Sequence, residues 1–232
     1  MTDNERPMPA RLSAAVAGSG PGLLLAHGAT GSVADNFTGL IEAFAPSRAV
    51  VAADYPGSGS TPRTGGPLDL DDLAHLLVAA ADDAGLERFA LLGFSMGSQV
   101  AVRAAVLYPE RVEALVLSAG LARLSPANRK VVEAWRAEVA GAAEPHPQPG
   151  ALDQIDLLLR NDTSADLPRI TAPTLVVKTL RDDLVLPENS DELAAGIPGA
   201  RVAELESGHL IWEDDFDGWV RAVRAFLTGL PG

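Results

Sequence analysis

A serine between two glycines stands at the point where a predicted strand meets a predicted helix. Residues 93–97 read Gly-Phe-Ser-Met-Gly; the apolar run at 88–93 suits a buried strand, and residues 98–107 carry apolar side chains at helical spacing. A chain that turns this sharply holds its central residue in a strained conformation, and only small neighbours let the two backbones pass. Ser95 is therefore a candidate nucleophile, although these five residues alone fit an ordinary turn equally well.

An acid and a histidine follow two later apolar runs. Arg-Asp-Asp stands at 181–183, and Ser-Gly-His stands at 207–209. Functional groups in a doubly wound sheet gather at the carboxyl ends of the strands, so we expect the histidine and one of these acids to lie near Ser95. Asp182 and Asp183 follow the same strand and both remain candidates, with Asp182 favoured.

Strand and helix patterns alternate along most of the chain. This alternation predicts an α/β fold with a doubly wound, mainly parallel sheet covered by helices on both faces. Asp69 is a plausible N-cap for one helix. Strands are predicted at 23–26, 49–53, 89–93, 114–117, 174–178 and 201–206, with a short antiparallel edge at 11–17, and helices at 33–44, 69–84, 95–107 and 217–227.

One segment, 121–171, contains no convincing strand. Helical patterns at 126–143 and 152–160 flank a proline-rich stretch at 145–149, which can continue neither helix. We interpret this segment as a helical lid inserted into one domain. Residues 1–120 and 172–232 would then form the core.

Composition excludes several classes of protein. The chain has 232 residues, 47% of them hydrophobic, with a net charge of -13 and no cysteine. An acidic chain is a poor partner for nucleic acid, and the lack of cysteine excludes disulfides, thiolate metal sites and a cysteine nucleophile. The N-terminus lacks the apolar core of a signal peptide, and no stretch reaches the length of a membrane span. A cytoplasmic protein without membrane contact is the expectation, and the oligomeric state is left open.

The motifs together resemble those of the α/β-hydrolase superfamily, over nearly the whole chain. They occur in the family's order and at sensible spacing: His-Gly-x-x-Gly at 27–31, Asp-x-x-Gly-x-Gly-x-Ser at 54–60, the nucleophile elbow at 93–97, and Gly-His at 208–209. The family pattern before the acid is usually Gly-x-x-Asp, and Thr179 stands where that glycine would be. The resemblance implies a catalytic triad of Ser95, Asp182 and His209, and a cap at 121–171.

The chemistry of such a triad assigns a role to each residue. Serine is a weak nucleophile at neutral pH, so His209 would take its proton and later return it to the leaving group. Asp182 would hold the far ring nitrogen and stabilise the imidazolium. The backbone N–H groups of Met96 and Ala29 would form the oxyanion hole, and no metal or cofactor is required.

The remaining candidates have simpler interpretations. His27 is expected to position its loop, and Asp54 is expected to belong to a turn beside the site. His75 and His146 suggest no metal site. Trp135 and Met96 are candidate pocket walls, whereas Trp212 and Trp219 are expected to pack the last helix.

Three functions are compatible with these residues. The first is a serine hydrolase that cleaves a small ester, thioester or lactone through an acyl-enzyme. The second is a lyase, C–C bond hydrolase or cyclase of a biosynthetic pathway that uses the same triad on a different substrate. The third, a binding module that has kept the fold, is disfavoured because no triad position is visibly degraded.

Overall fold

The computed structural model describes residues 11–64 and 66–230, which form a seven-stranded sheet flanked by helices. The spatial order of the strands is β1-β3-β2-β4-β5-β6-β7, and only β1 runs antiparallel to its neighbour. The predicted α/β fold with a mainly parallel, doubly wound sheet is confirmed. The strands are β1 (Ala14–Ala17), β2 (Gly22–Ala26), β3 (Ala49–Ala53), β4 (Phe89–Phe94), β5 (Val112–Ser118), β6 (Thr174–Thr179) and β7 (Arg201–Leu205).

Eight α-helices lie between or after these strands in the described part of the chain. The predicted N-cap is confirmed, because the Asp69 carboxylate accepts hydrogen bonds from the N–H groups of Asp71 and Asp72. The Ser32 hydroxyl caps the first helix in the same way, through the N–H of Asp35. The helices are α1 (Val33–Phe44), α2 (Leu70–Asp83), α3 (Gly97–Leu107), α4 (Pro126–Gly141), α5 (Ala151–Arg160), α6 (Pro187–Gly196), α7 (Ile211–Asp214) and α8 (Phe216–Thr228).

The main differences from the predicted elements lie at the start of α3 and in two helices near the end of the chain. Helix α3 begins two residues later than expected, which leaves Ser95 in the turn itself. Helices α6 and α7 were not predicted, because α6 is short and mostly polar and α7 has a single turn. Asp215 caps α8 by accepting a hydrogen bond from the N–H of Gly218.

The sheet separates two hydrophobic cores. Leu24 and Leu91 point to the side covered by α2 and α3, whereas Leu23 and Leu92 point to the side covered by α1 and α8. All four side chains are fully buried, as expected for strands of a parallel sheet with both faces covered. This packing holds the carboxyl ends of β2, β4, β6 and β7 at one edge of the sheet.

The segment 121–171 contains α4, α5 and a short 3₁₀ helix at Leu167–Arg169, and adds no strand to the sheet. An isolated bridge between Arg123 and Asp162 closes its base. Its role as a lid and the proposed domain boundaries stay predictions. The expectation for the N-terminus concerns residues 1–10, which lie outside the described residues. In the described ranges, no helix has both the length and the apolar character needed to cross a membrane.

Candidate active site

Ser95 occupies a sharp turn between β4 and α3. Its φ of 54° lies in the left-handed region, where a non-glycine residue is strained by about 1–3 kcal/mol. A Cβ at Gly93 would lie 2.4 Å from the Gly97 carbonyl oxygen, and one at Gly97 would lie 2.0 Å from that of Ala26. Both flanking positions therefore require glycine, and the turn directs the serine hydroxyl toward the edge of the sheet.

The serine, the histidine and the acid form one hydrogen-bonded chain. His209 Nε2 lies 3.0 Å from Ser95 Oγ, and His209 Nδ1 lies 2.7 Å from Asp182 Oδ2. The three residues come from the ends of β4, β6 and β7, as the positions of the motifs predict. With its proton on Nδ1, the imidazole can donate to Asp182 and accept the serine proton at Nε2.

Asp182, not Asp183, faces the histidine. Its side chain is fully buried, and its Oδ1 accepts hydrogen bonds from the N–H groups of Leu184 at 3.0 Å and Val185 at 2.8 Å. Asp183 is exposed. Thr179, which replaces the glycine of the family pattern, donates its hydroxyl to Asp182 Oδ2 at 3.0 Å. The departure from the pattern thus supplies an additional bond to the carboxylate.

The two predicted oxyanion donors flank the serine. Met96 follows Ser95 directly, and Ala29 lines the cavity that contains the Ser95 hydroxyl. Neither backbone N–H donates a hydrogen bond to any other described residue. Two free N–H groups beside a nucleophile at the start of a helix can receive negative charge that develops on a substrate oxygen.

His27 is built into the loop that carries Ala29. The ring is fully buried, and its Nε2 accepts a hydrogen bond from the N–H of Tyr55 at 2.9 Å. Because Nε2 is the acceptor, Nδ1 carries the proton and donates it to the carbonyl of Gly28 at 2.7 Å. Burial lowers the pKa of His27, and the hydrogen bond to Gly28 raises it. The effect of burial is the larger, so the pKa falls to about 4. The ring is neutral and structural, as expected from the sequence.

Lowering the pH should destabilise the fold through His27. Above pH 6.5 the imidazole is neutral in both the folded and the unfolded protein. Below pH 6.5 the imidazole of the unfolded chain binds a proton, whereas that of the folded protein stays neutral until about pH 4. This difference corresponds to about 3 kcal/mol of unfolding free energy lost between these pH values. Urea unfolding of the wild type and of His27→Asn should show the gap between them shrinking as the pH falls.

An exposed histidine provides the control for this titration. His75 is exposed on α2, where its Nδ1 lies 2.6 Å from the hydroxyl of Tyr108. His75→Asn makes the same replacement of histidine by asparagine outside the core, and it shows what the exchange of side chain alone does to urea unfolding. A pH-independent gap between the wild type and His27→Asn would contradict a neutral, buried His27.

Asp54 has a structural role, in which each of its two carboxylate oxygens binds a backbone N–H. Its Oδ1 accepts a hydrogen bond from the N–H of Val33 at 2.8 Å, and its Oδ2 accepts one from the N–H of Ser60 at 3.2 Å. The carboxylate thus joins the first turn of α1 to the loop that follows β3. This agrees with the turn expected from the glycines of that loop.

A cavity of about 380 Å³ opens above Ser95 and His209. Trp135 of α4 lies in its wall, where the sequence suggested it. The expectation that Met96 forms a wall was wrong, and the expectation for Trp212 was incomplete, because Trp212 packs against the core that contains α8 and also lines the cavity. Trp212 lines the cavity and packs edge-on against Phe94 at 5.1 Å, and Met96 is fully buried in the core, so only its backbone faces the site.

Other wall residues had no signal in the sequence. Phe94, Leu184 and Leu210 come from three different loops or strand ends, and each is an unremarkable apolar residue until the fold brings them together. Trp219, by contrast, is buried as expected and donates its Nε1 hydrogen to the hydroxyl of Ser118 at 2.9 Å.

The arginines of segment 121–171 are engaged elsewhere. Arg123 binds the Glu192 carboxylate at 2.8 Å, Arg129 donates to the Leu159 carbonyl at 2.7 Å, and Arg160 donates to the Leu68 carbonyl. None of them lines the cavity. Among the described residues, the only acidic or basic side chain in the cavity wall besides His209 is Asp35. The walls are therefore mainly apolar, with a carboxylate at the rim.

Comparisons with known proteins identify the family of the chain. A model of the α/β hydrolase fold family matches residues 21–149. A pyrrolizixenacetamide deacetylase from Xenorhabdus hominickii is 30% identical, over 94% of this chain and 95% of the relative. A pimeloyl-[acyl-carrier protein] methyl ester esterase from Neisseria meningitidis is 26% identical, over 78% of this chain and 84% of the relative.

A solved structure shows the same fold. The enol-lactonase from Burkholderia xenovorans superposes with a TM-score of 0.81 at 22% identity, and the match covers 94% of this chain and 96% of that chain. The family model, the relatives and the sheet topology agree with one another. The chain therefore belongs to the α/β-hydrolase fold family, and it is a hydrolase.

Proposed function

We propose that the protein is a serine hydrolase that cleaves a small, uncharged ester, thioester or lactone through an acyl-enzyme at Ser95. The observation that carries the proposal is the continuous hydrogen-bonded chain from Ser95 through His209 to Asp182 at the floor of an apolar cavity. The names of the relatives, a deacetylase and a methyl ester esterase, describe acyl cleavage as well.

In the first half-reaction, Ser95 Oγ attacks the carbonyl carbon of the substrate. His209 Nε2, at 3.0 Å, takes the hydroxyl proton as the new C–O bond forms. The imidazolium that results is stabilised by the Asp182 carboxylate on its other nitrogen. The carbonyl oxygen acquires negative charge, which the N–H groups of Met96 and Ala29 bind.

Collapse of this intermediate completes the transfer. The bond to the leaving group breaks, His209 gives its proton to the departing oxygen or sulfur, and the acyl group stays on Ser95 as an ester. In the second half-reaction, water enters and loses a proton to His209. This water attacks the carbonyl carbon of the acyl-enzyme, the carboxylic acid product leaves, and the proton returns from His209 to Ser95.

The walls of the cavity support an uncharged substrate. Asp35 is the acidic group at the rim, and the chain as a whole carries a net charge of -13. A carboxylate placed near Asp35 would be repelled by about 1–4 kcal/mol at contact distance, depending on the local dielectric. Helix α4, which contributes Trp135 to the wall, would act together with α5 as the lid that limits substrate size.

Substrate charge should therefore affect the rate. The p-nitrophenyl monoester of adipic acid and its methyl ester differ in the remote charge and in one methyl group, and we expect kcat/KM to be about 10-fold higher for the neutral diester. Asp35→Asn should reduce the ratio of the two kcat/KM values. Glu87→Gln also removes one negative charge, but it lies before β4, at the end of that strand opposite to Ser95, and it should leave the ratio unchanged. An equal rate for both esters would contradict a selective role for Asp35.

Hydrolysis of p-nitrophenyl acetate that depends on Ser95 tests the reaction class. We expect turnover by the wild type without added metal or cofactor. A folded protein whose serine reacts with a phosphonate but which hydrolyses no ester would contradict the proposal and favour a lyase, C–C bond hydrolase or cyclase.

A further inference from the structure

Helix α5 is joined to two loops beside the site by one buried amide. Gln154 is fully buried; its Oε1 accepts a hydrogen bond from the N–H of Thr30 at 2.7 Å, and its Nε2 donates to Ser58 Oγ at 2.8 Å. Thr30 follows β2 and Ser58 follows β3, so the amide spans both loops. It lies 124 residues along the chain from Thr30.

The bond to Thr30 acts next to a proposed oxyanion donor. Ala29 lies between Gly28, whose N–H donates to Asn36 Oδ1 at 2.9 Å, and Thr30, whose N–H donates to Gln154. The carbonyl of Gly28 belongs to the same peptide group as the Ala29 N–H, and it accepts the bond from His27. The peptide group that carries the donor is thus held at its own oxygen and on both sides.

The backbone at Thr30 needs such a bond. Its φ is 60°, in the left-handed region that a β-branched residue rarely adopts, at a cost of about 1–3 kcal/mol. Without an acceptor for its N–H, the loop could relax toward an ordinary conformation. That relaxation would rotate the neighbouring peptide groups and turn the Ala29 N–H away from the substrate oxygen.

The rest of α5 is attached firmly enough to serve as a support. The N–H of Gly150 donates to the carbonyl of Gly57 at 2.8 Å, and a Cβ at Gly57 would lie 2.5 Å from Gly150 Cα. Arg63 binds both carboxylate oxygens of Asp153, at 2.5 and 2.8 Å. The start of this helix is therefore packed against the loop after β3.

We propose that Gln154 is a positioning residue that holds the Ala29 N–H in the oxyanion hole, so that α5 forms a structural part of that hole. The inference rests on the proposed hydrolase function. It predicts an effect on the transition state rather than on substrate binding, because Gln154 lies outside the cavity wall.

The test replaces Gln154 with methionine, which has similar volume and forms neither bond. We expect kcat for p-nitrophenyl acetate to fall about 10- to 100-fold, with KM within about 3-fold of the wild type. Gln148→Met is the matched control. Gln148 precedes the same helix, accepts a hydrogen bond from the N–H of Gly59 at 2.7 Å and donates to Asp35 Oδ2 at 3.1 Å, but it makes no bond to the loop at 27–31. The ester used in this assay is uncharged, so the charge of Asp35 does not select against it. Its kcat should stay within about 2-fold of the wild type.

A second readout separates positioning from a general loss of stability. A trifluoromethyl ketone adds to the serine and places an oxyanion in the hole, so its inhibition constant should rise in Gln154→Met by about the same factor as kcat falls. A purely structural role would lower the melting temperature and leave both values unchanged. The proposal would be overturned if kcat fell equally in Gln154→Met and Gln148→Met. It would also be overturned if the inhibition constant of Gln154→Met were unchanged.

Ser58→Ala replaces Gln154→Met if that variant does not fold. It removes only the bond that orients the amide, and kcat should fall about 5-fold at constant KM; a change below 2-fold would overturn the inference. Failure of the proposed function has a different signature, because the wild type itself would then show no hydrolysis that depends on Ser95. If the wild type hydrolyses the ester and Gln154→Met has the same kcat, only the positioning role of Gln154 is refuted.

Discussion

Ser95→Ala should lower kcat/KM for p-nitrophenyl acetate by about 100,000-fold or more. The substitution removes the atom that forms the acyl-enzyme, and water cannot take its place without losing the alignment with His209. Some acceleration over the uncatalysed reaction should survive, because the two backbone donors and the cavity are left intact. The measurement is a steady-state assay on purified variants.

The stability of this variant should be close to that of the wild type. Alanine, like serine, carries a Cβ that is strained at the positive φ of this turn, so a melting temperature within a few degrees is expected. Ser190→Ala is a control, since Ser190 is also buried but lies on α6. Substantial hydrolysis by Ser95→Ala would contradict a covalent mechanism at this residue.

Asp182→Asn should lower kcat by about 10,000-fold, whereas Asp183→Asn should change it less than 2-fold. The carboxylate is oriented by its neighbours: Oδ1 accepts from the N–H groups of Leu184 and Val185, which asparagine can satisfy only with its own oxygen. The amide NH₂ would then point at His209 Nδ1. A donor at that position favours the tautomer with its proton on Nε2, which cannot accept the proton of Ser95.

The paired substitutions test the acid directly. Both remove one negative charge at adjacent positions, so a general electrostatic effect would change the two rates alike. Steady-state kinetics at one pH, together with circular dichroism to verify folding, is sufficient. Equal losses in both variants, or a larger loss in Asp183→Asn, would contradict the role of Asp182.

The positions of the site residues could be predicted largely because strand ends have recognisable patterns. The elbow at 93–97 requires glycines on both sides of Ser95 for steric reasons, and the turn therefore leaves a trace in the sequence. The histidine that follows β7 could also be recognised, because Gly-His stands directly after a predicted strand. The fold class was predictable for a related reason, since fully buried parallel strands appear as short apolar runs between helical patterns.

The choice between Asp182 and Asp183 could not be made from the residues alone. Neighbouring side chains in a loop have no fixed periodicity, so their direction depends on bonds that the sequence does not reveal. Here the N–H groups of Leu184 and Val185 select Asp182, and the Thr179 hydroxyl completes its surroundings. A threonine that departs from the family pattern therefore supports the acid.

The contacts of segment 121–171 and of Trp212 were the least predictable part of the site. Trp212 and Gln154 reach the site through tertiary packing between elements that are distant in sequence, and neither belongs to a local motif. A glutamine inside an amphipathic helix is normally read as an exposed residue. Only its complete burial and its two bonds distinguish Gln154 from the polar residues around it.

Labelling with a fluorophosphonate, followed by peptide mapping on a mass spectrometer, tests the central claim most directly. Ser95 Oγ should displace fluoride and form a bond to phosphorus, because His209 accepts its proton and the oxyanion donors bind the phosphoryl oxygen. We expect a single adduct, on Ser95, in the wild type and in Ser190→Ala, and no adduct in Ser95→Ala. An adduct on another residue, or undiminished labelling of Ser95→Ala, would contradict the assignment of Ser95 as the nucleophile.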